Sequence, residues 1–494
     1  GRTEPVAAPP RLERGAPTRP ALWLDLAREA RLADLLAEAS EPALLIAPDS
    51  PTAARWAERL DAPRLDSGMP AEARRAAWFG AARGRARVVV GTRSALLAPL
   101  PGPATLVLVH EQDSSHKPPG PPRLHSRDLL HERARVDGSR LVLLSGAPSV
   151  ETWWGAERGE IERAGAAPGP WPEVVTSDTR GVLRNHPLTL PLTRSIEDAA
   201  RRGRRVALIV ARGAAALGCD DCGELFRCPD CGIALGLSRA TRSLDCRICA
   251  SAHALPTICP ACAGHRLSAV GWGPERVEAS VRKRFPGVSV ATVGAAARTA
   301  GPAGEAQVVI GPASLLRAYP RGKLGAVGFV ALDGLLRRPD FRAGEQAFQS
   351  LWAAAEAVGP DGRVIIQTLL PDHDAIRAVR AQERGEFYRR ELTFREEVGY
   401  PPFRRLCTVS VSGATEAGGR RLIEECAARL HGIAGLDVYP AARHGAAGAR
   451  RPRWSFLIKG PDTLPELIGE PLKPYLERRR RAGDMIDVEM DPTS

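Results

Sequence analysis

Four CxxC pairs stand within one short stretch of this chain: Cys219/Cys222, Cys228/Cys231, Cys246/Cys249 and Cys259/Cys262. A CxxC turn sets two thiolates on one face, and two such turns close a tetrahedral shell with no position left for water. The eight cysteines therefore predict two Zn²⁺ per chain, held structurally, that fold their segment and do no chemistry. Disulfides would need an oxidising compartment, and no secretory signal is visible; a redox CxxC needs one pair on a strand-to-helix turn, not four. The spacing between pairs also favours zinc over an iron–sulfur cluster. Cys407 and Cys426 have no CxxC partner and read as buried core thiols.

The chain has 494 residues, enough for about three domains with cores of their own. No stretch reaches the run of apolar residues that a membrane span needs, so the expectation is a soluble cytoplasmic protein, nucleoid-associated, with no membrane partner. A net charge of +12 points to an anionic partner, a polyphosphate backbone above all. That signal is tempered by composition: only five basic residues are Lys, and the excess of Arg, Ala, Gly and Pro is what GC-rich coding produces.

Residues 1–20 are rich in Pro and Arg without periodicity and read as a linker. Over 21–170 short apolar runs alternate with helical patterns: ALLIAP (43–48), RVVVG (87–91), TLVLV (105–109) and RLVLLS (140–145). Buried parallel strands with crossover helices give this rhythm. It resumes over 171–217 and 269–395 with RRVALIVA (204–211), AQVVIG (306–311), AVGFVAL (326–332) and RVIIQT (363–368), interrupted by the cysteine segment, 218–268. Residues 396–494 read as strand 405–412, helix 415–431, strands 435–440 and 453–459, helix 463–478 and strand 484–490, a βαββαβ order of ferredoxin-like type. The Gly-rich, Arg-rich loop 441–453, with Arg451 and Arg453 beside Trp454, is suited either to gripping a nucleic-acid backbone and stacking a base or simply to facing solvent.

Several motifs follow in a particular order: LDSGMPAEARRAAW (65–78), VVVGTRSALLAPL (88–100), DSSHK (113–117) with RLHSRDLL (123–130), the cysteine pairs, PDFRAGEQAFQ (339–349) and FYRRELTFREEVGYPPFRRL (387–406). In this order the chain resembles the PriA family of replication-restart helicases. The resemblance implies two RecA-like helicase lobes, a double-zinc Cys₄ insert in the second, and a C-terminal α+β domain of ferredoxin-like or S10-like type. It also implies nested zinc pairing, with Cys219, Cys222, Cys259 and Cys262 on one ion and Cys228, Cys231, Cys246 and Cys249 on the other; spacing alone leaves sequential pairing open. As partners it implies forked and single-stranded DNA, primosome proteins, the machinery that loads the replicative helicase, and single-stranded DNA-binding protein, with the chain acting as a monomer. The family's N-terminal domain, which captures the DNA 3′ end, is not visible in residues 1–20, and a preceding portion is expected.

The departures from the family are as informative. A phosphate loop needs Gly for close backbone approach, Lys for charge and Ser or Thr on Mg²⁺. The matching region, WLDLAREARLADLL (23–36), has no Gly and no Lys, and no GK[ST] occurs in the chain. Where the family has DEEH, this chain has Val109, His110, Glu111 and Gln112; GSAT becomes LSGA (144–147), and the arginine-finger segment becomes AAAEAVG (353–359). Loss of one arginine finger alone costs roughly 10³ to 10⁵ in rate. No catalytic residue is therefore assigned, and ATP and Mg²⁺ are not expected as cofactors. DNA contact needs only charge and stacking surface, and the resemblance assigns it to Thr92, Arg93, His116, Lys117, Arg123 and Arg127; His125 reads equally well as a core histidine. His116 and Leu124 stand where the family has tyrosines, which weakens stacking there.

Overall fold

The computed structural model describes residues 19–38, 40–165, 169–179, 186–210, 216–219, 221–222, 224, 226–229, 235–238, 242–246, 251–270, 272–294, 306–336, 338, 340–444, 452–478 and 485–492. The chain divides into two compact units, 1–169 and 170–494.

Among its described residues, the first unit is built on seven parallel strands: β1 (Ala21–Trp23), β2 (Ala43–Ile46), β3 (Arg64–Leu65), β4 (Val88–Gly91), β5 (Thr105–Val109), β6 (Arg140–Leu144) and β7 (Glu162–Ala164), in the order β3-β4-β2-β5-β6-β1-β7. The apolar runs of β2, β4 and β5 are buried along their whole length, which is why they show no alternation. Trp56, Leu32 and Leu36 cover one face of the sheet from the helices Ser50–Arg59 and Arg28–Glu38.

The second unit opens with another parallel sheet, ordered β15-β16-β9-β17-β18-β8, from β8 (Glu173–Asp178), β9 (Arg205–Ile209), β15 (Val290–Thr292), β16 (Val308–Gly311), β17 (Leu324–Phe329) and β18 (Arg363–Thr368). Between β9 and β15 the chain makes an antiparallel sheet of β10 (Ala216–Cys219), β11 (Gly236–Ser238), β12 (Ser243–Asp245), β13 (Ala252–Ala254) and β14 (Leu267–Val270), which carries the cysteines. The expected pair of parallel α/β sheets, with an insert in the second, is thus present.

A last antiparallel sheet runs β20-β22-β19-β23, with β21 also on β22; its strands are β19 (Arg405–Ser412), β20 (Asp437–Val438), β21 (Ala442–His444), β22 (Arg453–Gly460) and β23 (Met485–Met490). The helices Glu416–Leu430 and Leu464–Arg478 complete the ferredoxin-like order, and Ile423, Cys426, Cys407 and Phe456 lie in its core. Cys407 and Cys426 are therefore the buried thiols expected of them. Burial pushes the Cys426 thiol up to about 12, with Glu425 adding to the effect.

Arg395, fully buried in the helix Arg384–Val398, fastens this sheet's approach to the preceding one. It donates to Glu345 Oε2 at 2.8 Å, to Glu391 Oε1 at 2.9 Å and to the Pro401 carbonyl at 3.1 Å. Lys459 of β22 reaches back, its Nζ on the Val398 carbonyl at 2.6 Å and 4.0 Å above the Tyr400 ring. No helix among the described residues is long and apolar enough to cross a membrane.

Candidate functional site

The outer cysteine pairs meet because β10 and β14 are antiparallel neighbours, with Cys219 opposite Leu267. The turn bearing Cys259 and Cys262 leads directly into β14, so it arrives beside the end of β10. The Sγ atoms of Cys219, Cys222, Cys259 and Cys262 lie within 4.8 Å of one another. Cys219 to Cys262 is 3.6 Å and Cys222 to Cys259 is 3.7 Å. A tetrahedral ion with metal–sulfur bonds of about 2.3 Å needs sulfur–sulfur edges of about 3.8 Å. These four residues therefore fit a metal ion, and they are the outer set of the nested pairing.

The local backbone explains how the turns hold their shape. The amide of the first cysteine donates to the carbonyl five residues on in three of the pairs: Cys219 to Glu224, Cys246 to Ser251 and Cys259 to Gly264, each at 2.8 Å. The Asp221 amide also points at Cys219 Sγ, 3.4 Å away. Electrostatics shows why a cation belongs here. Burial opposes ionisation of Cys259, but the Cys262 and Ala261 amides and the neighbouring thiols outweigh it and hold this thiol down to about 7. The Gly264 amide helps Cys262 in the same sense, yet the crowded sulfurs push it up to about 12. Four thiolates this close need a positive ion among them to ionise together.

Of the inner set, Cys228 and Cys246 are buried in one apolar cluster with Leu217, Phe226, Leu235 and Leu244. Cys231 and Cys249 lie outside the described residues, as does Arg451.

In the first unit, the loop Leu24–Ala27 joins β1 to the helix Arg28–Glu38, where a phosphate loop would stand. It holds an anion of its own. Asp25 Oδ1 accepts the Ala27 amide at 2.9 Å, and Oδ2 is 2.7 Å from the Arg31 guanidinium, which stacks 4.0 Å above Trp23. An aspartate closing this turn on its own backbone takes the donor that a bound phosphate would use. The end of β5 is equally committed. His110 adopts a left-handed φ of 52°, and Glu111 turns inward, fully buried. Its carboxylate accepts the Ser149 amide at 2.6 Å and the Thr152 hydroxyl at 3.0 Å, with Arg127 Nη1 at 3.4 Å. Burial raises its pKa, against the pull of Arg127 and these donors. Ser145 of the LSGA segment donates to Gln112 at 2.7 Å. The segment 353–358 completes the helix Ala343–Val358, where Glu356 accepts the Trp352 indole at 3.0 Å.

The residues expected to meet DNA divide in two. Thr92, Arg93 and Arg123 are partly exposed, and Arg453 is exposed at the start of β22. Of the rest, His116, Lys117 and Trp454 are buried and are corrected, while Arg127 is partly buried. His116 is fully buried, its Nε2 2.9 Å from the Val109 carbonyl, and Lys117 is buried beside it. Arg127 spends its guanidinium on Glu111, Ser149, Thr152 and Asp128. Trp454 lies in the core of the last sheet, against Gly419, so neither ring face is open to a base. His125 accepts the Arg127 amide at the start of the helix Ser126–Asp137, and burial first, then Arg127, pulls its pKa well below the usual histidine range. Two features escaped sequence reading. Asp25 was visible only as one acid before a helix, and Arg133, which donates to the Leu96 and Ala98 carbonyls, was hidden among many arginines.

No protein-family profile matches the chain. It is 29% identical over 455 residues to the replication restart protein PriA of Bacillus subtilis (strain 168), covering 87% of this chain and 56% of that protein. To PriA of Treponema pallidum (strain Nichols) it is 30% identical over 436 residues, covering 82% of this chain and 65% of that protein. The chain thus spans between half and two thirds of the length of these relatives. Among solved structures, RecG bound to a three-way DNA junction aligns with 76% of this chain and 47% of that one, at 10% identity and a TM-score of 0.41, which adds nothing to the fold described above.

Proposed function

Because the chain is PriA-like along most of its length, we propose that it recognises abandoned or stalled replication forks as a DNA-binding scaffold and promotes reloading of the replicative helicase without ATP-driven unwinding. The observation that carries the second half of this reading is Asp25: an internal carboxylate closes the loop where a triphosphate would be gripped. The buried engagement of Glu111 supports it independently. The parallel sheets act as helicase-like lobes over 21–170 and over 171–217 with 269–395, and residues 396–494 as a DNA-binding domain.

In this reading the insert 218–268 holds two Zn²⁺, the first on Cys219, Cys222, Cys259 and Cys262 and the second on Cys228, Cys231, Cys246 and Cys249. Thiolate shells of this kind keep a docking surface folded for primosome proteins and single-stranded DNA. The contacts offered to DNA are the partly exposed Thr92, Arg93 and Arg123 and the exposed Arg453, with Arg451 near it in sequence. Single-stranded DNA-binding protein and the helicase-loading machinery are the partners, and the setting is the cytoplasm at the nucleoid.

The test is a mobility shift on forked against duplex DNA and structured RNA, repeated with ATP and Mg²⁺, beside a single-turnover ATPase assay. Tighter binding to forks, unchanged by nucleotide and without hydrolysis, supports the scaffold. DNA-stimulated hydrolysis by the purified chain would restore the helicase reading, and preference for RNA would favour a zinc-ribbon module of another kind.

A further inference from the structure

Asp221 touches both CxxC turns of the outer set. It lies inside the first, between Cys219 and Cys222, and its amide points at Cys219 Sγ from 3.4 Å. Its carboxylate crosses to the second. Arg266, just before β14, donates from Nε to Asp221 Oδ1 at 2.6 Å and pairs with it through Nη2 as well. The same carboxylate lies on Gly264, whose amide bonds to Cys262. A Cβ at position 264 would collide with Asp221 Oδ2 and stand 3.0 Å from its Cγ, and the three atoms nearest to it would all belong to Asp221. Gly264 has no left-handed φ that would call for glycine, so what its bare Cα provides is room for this carboxylate.

We infer that Asp221 and Arg266 are positioning residues of the outer metal site, a latch that holds the Cys259–Cys262 turn against the Cys219–Cys222 turn and slows loss of the ion. Partners outside the ligand shell fix ligand orientation in this way. The latch adjoins the exposed ligands: Cys222 and Cys262 are exposed, whereas Cys219 and Cys259 are buried. The side chain of Asp221 is 28% exposed and that of Arg266 73%, so water screens the pair and its effect is modest. The sign of the charge separates a latch from plain electrostatics. A divalent cation on four thiolates leaves the site with a net negative charge, which a neighbouring carboxylate repels. On charge alone, removing Asp221 should slow metal loss; a latch requires the opposite. This inference rests on the reading of the outer set as a metal site.

The experiment follows zinc release from the full chain into a chromophoric chelator, with bound zinc measured beforehand, and records the ligand-field bands of the cobalt-substituted protein. Asp221→Ala should speed the loss of one zinc equivalent roughly two- to fivefold, the range of a partly exposed ion pair, and shift the cobalt bands. Arg266→Ala should match it, and Arg266→Lys should keep most of the parent rate. Gly264→Ala should speed release in the parent chain yet add nothing in the Asp221→Ala chain, because the new methyl group acts only by displacing that carboxylate. Release from Asp221→Ala at the parent rate or slower, or a Gly264→Ala effect that persists without Asp221, would overturn the latch and leave the metal reading intact. A parent chain that holds no zinc would overturn both.

Discussion

Glu111 accepts the amide hydrogen of Ser149 at 2.6 Å, across 38 residues of sequence, and so an acid at the end of β5 becomes the anchor of the helix Val150–Glu157. Burial is the chief reason that its folded pKa lies above the usual carboxylate range. For an acid raised in this way the folded state holds the proton longer than the unfolded state, so stability falls as pH rises from about 4.5 through the raised value. Glu111→Gln should flatten that fall, and urea denaturation between pH 4 and 8 would show it. An identical slope in the two proteins would mean that Glu111 does not titrate as its burial demands.

Arg395→Met leaves Glu345 and Glu391 buried without their shared cation. Breaking such a cluster from one side typically costs about 3–5 kcal/mol. Chemical denaturation should register a loss of that order, while Arg389→Met, on the exposed face of the same helix, should change stability by about 0.5 kcal/mol or less.

Gly419 leaves room for the indole of Trp454; an added Cβ would stand 2.3 Å from the ring. Gly419→Ala should therefore destabilise the last sheet by about 1–3 kcal/mol through overpacking. Its effect on DNA binding should vanish at temperatures where the variant remains folded. A persistent loss of affinity in the folded variant would return Trp454 to the binding surface.

Arg453→Ala removes an exposed cation from the start of β22. Fork affinity should weaken for all sequences alike, and the slope of log affinity against log salt should shrink by about 1. Arg127→Ala should instead lower the unfolding midpoint and leave that slope unchanged, because its guanidinium is spent inside the fold.

Asp25→Ala should cost about 1 kcal/mol by opening the turn before the helix Arg28–Glu38 and releasing Arg31. Titration calorimetry with ATP and Mg²⁺ should register no heat of binding before or after the change. Binding gained on removing the carboxylate would show that Asp25 merely blocks an intact site.

The long apolar runs were readable because burial on both faces leaves no polar residue to confuse them, as in TLVLV at β5. Most of the last sheet was readable, since its alternation and helical periods are clean, but β20 is two residues long where 435–440 was expected and β21 lies within the stretch read as a loop. By contrast β1, β3 and β7 are two or three residues long and carry too little pattern to announce themselves, although β1 lies between β6 and β7. The outer cysteines came together as the resemblance implied, where spacing alone left sequential pairing open. His116 and Trp454 were misread because residue type does not say which way a side chain faces. For Trp454 a signal was present: Trp454, Phe456 and Ile458 recur at every second position, which puts all three on the buried side. Arg127 carried no such signal, since its acceptors are distant in sequence.

The self-closed loop at Asp25 also sets the cost of changing it. Any single replacement there toward a nucleotide-gripping glycine subtracts a turn closure and an ion pair before a single phosphate contact exists to compensate. A turn and an ion pair that share one carboxylate stand or fall together, so residue 25 tolerates change only at the expense of both.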